Sequence, residues 1–152
     1  MATLLVTGLK PAKYSRAWAR IYAELARVLP ELPDGSTVVM GDDCGAGLYA
    51  WDACRGPAPR RLRVRRYYAS GVLWLLDIEG RPRWQRWLPR YDRVAPGDSE
   101  RAMVAWVASQ VNARCLSLLG DCDAARLAAA SGIRTTLTPE EALPAPAPKS
   151  TA

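Results

Sequence analysis

The amino-acid sequence predicts an α/β domain with a mostly parallel sheet and helices on both faces. Short apolar runs alternate along the chain with stretches whose apolar residues recur every three or four positions. Such alternation is typical of parallel strands joined by crossover helices. Three of the predicted strands are followed at once by glycine, as in many ligand-binding turns. At 152 residues, the chain is expected to form a single domain with one core.

The composition is that of an ordinary globular chain, with 49% hydrophobic and 24% charged residues. The longest apolar run, residues 71–76, is far shorter than the roughly 20 residues that span a bilayer, and the N-terminus lacks a signal-peptide pattern. We therefore expect a cytoplasmic protein with no membrane contact. The domain should occupy residues 1–143, because residues 144–152 alternate proline and alanine and predict a disordered tail.

The four cysteines form no C-x-x-C pair, and the chain has no histidine, so no zinc site is predicted. We expect reduced structural thiols at Cys44, Cys54, Cys115 and Cys122. Cys44 has an alternative role as a nucleophile, since a helix N-terminus or an arginine nearby would lower the pKa of its thiol.

The first third of the chain predicts a strand, a helix and a second strand. Residues 3–7 (TLLVT) form the first buried strand. The helix after it has Ser15 as its cap, Pro30 at its end and one apolar face formed by Trp18, Ile21, Tyr22, Leu25, Val28 and Leu29. Residues 37–40 form the second strand, and a helix of small residues begins near Gly47. Because parallel strands need a right-handed crossover, the first two strands should be neighbours.

The middle of the chain is less regular. Residues 61–68 alternate apolar residues with arginines, which predicts an edge strand with one polar side. Residues 71–78 predict either a further strand or one partner of a hairpin. Residues 79–98 are rich in proline, arginine and tryptophan and predict a long irregular loop.

The last third predicts two more helices and two more strands. The core positions of the first of these helices are Met103, Trp106, Val107 and Val111. The helix caps are Asp98 or Ser99 for the first and Asp121 or Asp123 for the second. Residues 115–119 and 133–137 predict strands, separated by an alanine-rich helix that ends at Gly132. A short helix should open at residues 139–143.

Three glycine-led loops should meet at one edge of this sheet. They cover residues 8–15, 41–47 and 120–123, and each follows the carboxyl end of a predicted strand. Ligands of open α/β sheets bind at that edge, near the point where strand order reverses. Two of the loops lead into helix N-termini, which favour anions. The sequence therefore predicts a ligand pocket there.

Four segments resemble a known family: VTG after the first strand, VVMGDDCGAGLYAWDA, SERAMVAWV, and SGIRT near the end. Together, over about residues 3–142, they look like the YspA-like branch of the SLOG superfamily, whose relatives include the LOG phosphoribohydrolases and DprA-type domains. The resemblance implies a single Rossmann-like three-layer domain that binds a nucleotide or a nucleotide-derived molecule.

The motifs of this branch are only partly present. The second loop of the family reads G-G-A-R-G-A-D, with an alanine further on, and the matching positions are Gly41, Gly45, Ala46 and Ala50. Positions that differ are Asp42, Asp43, Cys44 and Gly47, so side chains expected to contact phosphate and ribose are missing. Of the R-N-R-x-M motif at residues 99–103, Arg101 and Met103 remain. The phosphoribohydrolase motif P-G-G-x-G-T-x-x-E is absent at residues 120–127, so that activity is not implied.

Without histidine, acid or base catalysis at this edge would fall to carboxylates, and the candidates are Asp42, Asp43 and Glu100. The alternative is that these acids have turn and cap roles. The two aspartates could also recruit Mg²⁺, which prefers oxygen ligands. Whether the site turns its ligand over stays open.

Positive charge is concentrated in residues 55–93, which hold eleven arginines and three acids in a chain of net charge +6. Aromatic residues are interleaved with them: Tyr67, Tyr68, Trp74, Trp84, Trp87 and Tyr91. One interpretation is that the aromatic residues complete the core or a homodimer interface. The other is that they stack on single-stranded nucleic acid while the arginines contact its phosphates.

We expect the chain to bind a nucleotide-type ligand at the carboxyl edge of the sheet and to self-associate through residues 61–93. The alternatives are nucleic-acid binding through that region and a homo-oligomeric scaffold without catalysis. The predicted ligand-binding residues are Gly8, Lys10, Gly41, Asp42, Asp43, Gly45, Ser99, Arg101, Gly120 and Asp121.

Overall fold

The computed structural model describes residues 1–9, 16–41, 46–54, 61–67, 73–76, 82–85 and 99–139. Within these ranges the chain forms seven strands, four α-helices and one 3₁₀ turn. Their bounds are β1 Thr3–Gly8, α1 Ala17–Val28, the 3₁₀ turn Leu29–Glu31, β2 Thr37–Gly41, α2 Ala46–Cys54, β3 Arg63–Tyr67, β4 Leu73–Leu76, β5 Pro82–Gln85, α3 Ser99–Ala108, β6 Ala113–Leu118, α4 Asp123–Ala130 and β7 Arg134–Leu137.

Five of the strands form one parallel sheet in the order β3-β2-β1-β6-β7. The central strand β1 pairs with β2 from Thr3 opposite Thr37, and with β6 along its whole length, ending with Gly8 opposite Leu118. The predicted α/β fold with a mostly parallel sheet is confirmed, and so is the predicted edge position of β3. The parallel sheet follows from short apolar strands joined by helical crossovers, and the edge position of β3 follows from its alternation of apolar residues with arginines.

Successive residues of β1 face opposite sides of the sheet and so belong to two different cores. Leu4 and Val6 pack with α1 and α2, whereas Leu5 packs with α3 and α4. Leu5 is completely buried, as are Ile21 of α1 and Val107 of α3. The helices therefore form a layer on each face of the sheet, and the domain is a three-layer Rossmann-like one.

An arginine binds the carboxyl-terminal end of the segment formed by α1 and the 3₁₀ turn after it. The guanidinium of Arg61 donates hydrogen bonds to the carbonyl oxygens of Leu29, at 2.7 Å, and Leu32. It also lies 3.1 Å from the Asp34 carboxylate. The Leu29 carbonyl also accepts the 3.2 Å hydrogen bond from the Leu32 amide that closes the 3₁₀ turn, and the Leu32 carbonyl lies just past that turn. Arg61 therefore adds a charged donor to two carbonyls where the helical segment ends. Arg61 is thus a structural member of the basic stretch.

Several local predictions are wrong. Trp18 is 43% exposed and Val111 is 80% exposed, and Val111 follows the end of α3, so neither has the predicted core position. Helix α4 has Cys122 as its N-cap, with no side-chain cap, in place of Asp121 or Asp123. Both aspartates pair with Arg126 instead, which removes them from the cap.

The region predicted as irregular contains a strand. β4 and β5 form an antiparallel hairpin in which Trp74 lies opposite Trp84 in register. The hairpin alternative for residues 71–78 is therefore the correct one. Proline is tolerated at Pro82 because it begins the strand.

Other predictions lie outside the described residues. These include the Asp98 cap, most of the short helix at 139–143 and the disordered tail at 144–152. The predicted Ser15 cap is wrong, because the N-cap residue of α1 is Arg16, which makes no side-chain cap hydrogen bond. Ser99 is likewise not a cap, because it is the first helical residue of α3. In the parts of the chain that the structure describes, no helix has the length and apolar character needed to cross a membrane.

Candidate functional site

The order of the sheet reverses between β1 and β6. The chain proceeds from β1 outward to β2 and β3, and then returns to the other side of β1 to place β6 and β7. The carboxyl ends of the two central strands, at Gly8 and Leu118, therefore lie side by side. This is the position at which open α/β sheets bind their ligands.

Gly8 is required here by the neighbouring strand. Its φ is +152°, and a Cβ atom at this position would lie 2.2 Å from the carbonyl oxygen of Leu118. That same oxygen accepts a hydrogen bond of 3.0 Å from the amide of Leu9. The missing side chain thus admits a backbone carbonyl of β6, a structural reason for glycine that is independent of any ligand.

The turn after β6 has an unusual backbone. Leu119 is buried and has φ of +65°, a left-handed conformation that costs a non-glycine residue roughly 1–2 kcal/mol. Its amide donates a 2.7 Å hydrogen bond to the Thr138 hydroxyl, and the Ser117 hydroxyl donates to the Gly120 carbonyl. These bonds hold the turn beside Gly8. The predicted site residue Gly120 is buried, and its carbonyl oxygen is already bonded.

A small polar cluster joins the two central strands at the same edge. The Cys122 sulfur lies 3.4 Å from the Thr7 hydroxyl of β1 and 3.6 Å from the Ser117 hydroxyl of β6. Because Cys122 is also the N-cap residue of α4, the cluster fixes the start of that helix against both strands. Sequence reasoning missed this cluster, and Cys122 two residues after the Gly120 turn is the signal that could have indicated it.

The first turn of α3 also reaches this edge. α3 ends only a few residues before β6 begins, so α3 runs antiparallel to β6 and its N-terminus lies at the carboxyl edge. Glu100 and Arg101 are exposed there, and Ser99 is the first helical residue. The predicted cationic contact Arg101 is therefore accessible at the correct edge of the sheet.

Asp121 lies at this edge but is occupied with a neighbour. Its carboxylate is 3.0 Å from a guanidinium nitrogen of Arg126, and Arg126 also contacts Asp123. These hydrogen bonds to the two aspartates raise the pKa of the Arg126 guanidinium. A ligand contact at Asp121 would have to compete with this exposed ion pair.

A buried cation at the same edge was not predicted as part of the site. Arg66 of β3 is 4% exposed, and its Nε donates a hydrogen bond of 3.3 Å to the carbonyl of Gly41. Its guanidinium carbon lies 5.2 Å from the centre of the Trp51 ring. The sequence indicates this burial, because alternate residues of a strand share a face and Arg66 shares the face of Leu62 and Val64, which pack against the core.

Arg65, on the opposite face of β3, is also held within the fold. Its guanidinium carbon lies 4.3 Å from the centre of the Trp106 ring, and its Nε donates a 2.8 Å hydrogen bond to the Tyr67 hydroxyl. Of Arg63, Arg65 and Arg66, the structure leaves Arg63 exposed. Alanine at position 65 or 66 would therefore remove packing contacts of the fold as well as a positive charge.

Several predicted site residues lie outside the described part of the chain: Lys10, Asp42, Asp43, Cys44 and Gly45. They follow the ends of β1 and β2 along the chain. The roles of these residues stay predictions. Self-association through residues 61–93 also stays a prediction, because most of that region lies outside the described residues.

The cysteines whose thiols are described are free. Burial raises the pKa of Cys54 to about 11 and that of Cys115 to about 12, so both are protonated at neutral pH. The thiolate is the reactive form of cysteine, and Cys54 and Cys115 are therefore structural.

A cavity of about 180 Å³ opens at the carboxyl edge beside α1. Its walls are formed by the α1 residues Arg20, Ile21 and Glu24, and by Leu118, Leu119 and Thr138. Ligand pockets usually enclose roughly 300–1,000 Å³, so this cavity could hold only part of a nucleotide.

No family model, curated protein or solved structure matches this chain. The fold and the edge geometry alone define the class: a single Rossmann-like α/β domain with its candidate site at the strand-order reversal.

Proposed function

We propose that this domain binds a nucleotide or a nucleotide-derived small molecule at the carboxyl edge of its sheet. The single observation that carries the proposal is the reversal of strand order between β1 and β6. In open α/β sheets a crevice forms at such a reversal, because the two flanking loops leave in opposite directions. The loops after Gly8 and Gly41 and the turn at Gly120 all start at this edge.

The charges at the edge support an anionic ligand. Arg66 supplies a buried positive charge next to Gly41, and Arg101 supplies an exposed one at the start of α3. The N-termini of α3 and α4 add partial positive charge. A phosphate group would gain from these contacts, and the nucleoside would extend over the glycine-led loops.

We further propose that the chain is a divergent relative of the SLOG domains of the YspA-like type. Its support is the resemblance of its sequence segments together with the Rossmann-like order of its strands. Within this proposal the loss of the family arginine at position 44 is offset by the cations at positions 66 and 101. Such a site would hold its ligand from the β3 and α3 side.

The proposal is tested by thermal denaturation with mono-, di- and cyclic nucleotides at fixed ionic strength. A ligand at one hundred times its Kd adds about 2.7 kcal/mol to the free energy of unfolding. For a domain of this size that corresponds to a rise in Tm of roughly 5–10 °C. No change in Tm with any nucleotide would refute it.

Two exposed arginines provide the variant and its control. Arg101→Gln should weaken nucleotide binding by about tenfold, since it removes one charge-assisted contact. Arg63→Gln removes the same charge from the amino end of β3, far from the proposed site, and should leave the affinity unchanged. Equal weakening in both variants would indicate a general charge effect and contradict the assignment of Arg101.

A further inference from the structure

A second cavity lies at the opposite, amino-terminal edge of the sheet. It has a volume of about 340 Å³ and lies between the 3₁₀ turn after α1 and the starts of β6 and β7. Its walls include Ala2, Glu31, Leu32, Asn112, Arg114 and Arg134. The volume is within the range of small-ligand sites, at its lower end.

Two arginines are directly opposite each other beside this cavity. Arg114 of β6 and Arg134 of β7 are register partners in the parallel sheet. Their side chains share one face, the face of Leu116, which packs against α1. Neighbouring strands are separated by only about 4.8 Å, and like charges directly opposite each other in a sheet are destabilising.

No acid among the residues that the structure describes neutralises the charge of either arginine. Within the described part of the chain, Arg114 and Arg134 form no ion pair or side-chain hydrogen bond. Glu31 lines the same cavity but pairs with neither of them. By contrast, Arg27 and Arg126 each take a nearby acid as a partner.

We propose that the Arg114–Arg134 pair binds the phosphoryl group of a small molecule in this cavity. A dianion between the two guanidinium groups would remove their repulsion, and the planar donor geometry of arginine suits phosphate oxygens. The carboxylate of Glu31 would accept a hydrogen bond from a hydroxyl on the rest of the ligand. The cavity is large enough to hold a phosphorylated triose or glycerol.

This site is separate from the proposed nucleotide site, because Arg114 and Arg134 lie at the starts of their strands and Gly8 at the end of its own. The two proposals therefore fail independently. An intact nucleotide response with no phosphate response would overturn only the amino-edge site.

The test is an NMR titration of the full chain with inorganic phosphate and with glycerol phosphate, at constant ionic strength. Amide signals of residues 112–114 and 134 should shift in a saturable manner. Arg134→Gln should weaken binding by about tenfold, and the double variant Arg114→Gln, Arg134→Gln should abolish it. Arg63→Gln, an exposed arginine on the other edge strand, is the matched control and should bind as the unmodified protein does.

Two further measurements separate a ligand site from a surface charge effect. Without phosphate, Arg134→Gln should raise Tm, because it removes the repulsion; a lower Tm would contradict the proposal. Glu31→Leu should strengthen inorganic phosphate binding, because it removes a negative charge beside the two arginines. It should strengthen glycerol phosphate binding less, because it also removes the acceptor for the glycerol hydroxyls. Shifts that follow ionic strength alone, or that persist in the double variant, would overturn the proposal.

Discussion

Replacement of Gly8 by alanine tests the contact between the two central strands. The new Cβ would lie 2.2 Å from the Leu118 carbonyl oxygen, whereas carbon and oxygen atoms normally approach to about 3.3 Å. β1 and β6 would have to separate by roughly 1 Å, which also strains the 3.0 Å hydrogen bond from Leu9. Overpacking, the positive φ and the weakened bond together predict a loss of about 3–5 kcal/mol.

Thermal and urea denaturation would measure this loss, and the expected fall in Tm is about 10 °C. Gly132→Ala is the matched control, because Gly132 also has a positive φ, of +81°, but a Cβ there would meet nothing within 4 Å. It should cost only the backbone strain, about 1–2 kcal/mol. Equal losses in the two variants would refute the conclusion that β6 requires glycine at position 8.

Two other predictions concern stability. Arg61→Met should lower the free energy of unfolding by about 2 kcal/mol, because it leaves the carbonyls of Leu29 and Leu32 without their charged donor. Asp34→Asn should lower it by less than about 1 kcal/mol, because the Asp34 side chain is 81% exposed. Urea denaturation of both variants checks this, and similar costs would contradict it. The pKa of the Cys115 thiol is raised to about 12 in the folded protein, whereas it is near 9 in the unfolded chain. The stability that the buried, protonated thiol contributes is therefore complete below pH 9 and is lost as pH rises from 9 toward 12. Between pH 8.5 and 10.5 the free energy of unfolding should therefore fall by about 2 kcal/mol more in the unmodified protein than in Cys115→Val. Equal falls in the two proteins, measured by urea denaturation, would show that the buried thiol does not cause the loss of stability at high pH.

The fold could be predicted because each parallel strand carries its own signal. Residues 3–7 and 37–40 are continuous apolar runs, as expected for strands covered on both faces. The predicted bounds of these strands differ from the observed ones by only one residue. Trp18 and Val111 were misplaced because helical spacing indicates which residues share a face, but it does not indicate where that face ends.

The candidate site could be predicted only in part. The edge itself followed from glycines after strands, and Gly8, Gly41 and Gly120 do lie at the ends of neighbouring strands or just beyond. Arg66 was missed because arginine is usually exposed, and a local charge cluster suggested a surface. Asp121 and Asp123 were predicted as caps of α4 because aspartate is common at that position. They pair with Arg126 instead, and a cap preference does not indicate whether a nearby cation competes for the aspartate.

Both edge strands of the five-stranded sheet carry arginines. One edge strand, β3, bears Arg63 and Arg65, and the other, β7, bears Arg134. If an identical molecule paired its own edge strand with either of them, cations would face cations along the new pair of strands. The excess of arginine that makes the chain basic therefore also opposes continuous sheet growth between molecules. Conditions that screen these charges, such as high concentrations of multivalent anions, should favour aggregation through the edge strands.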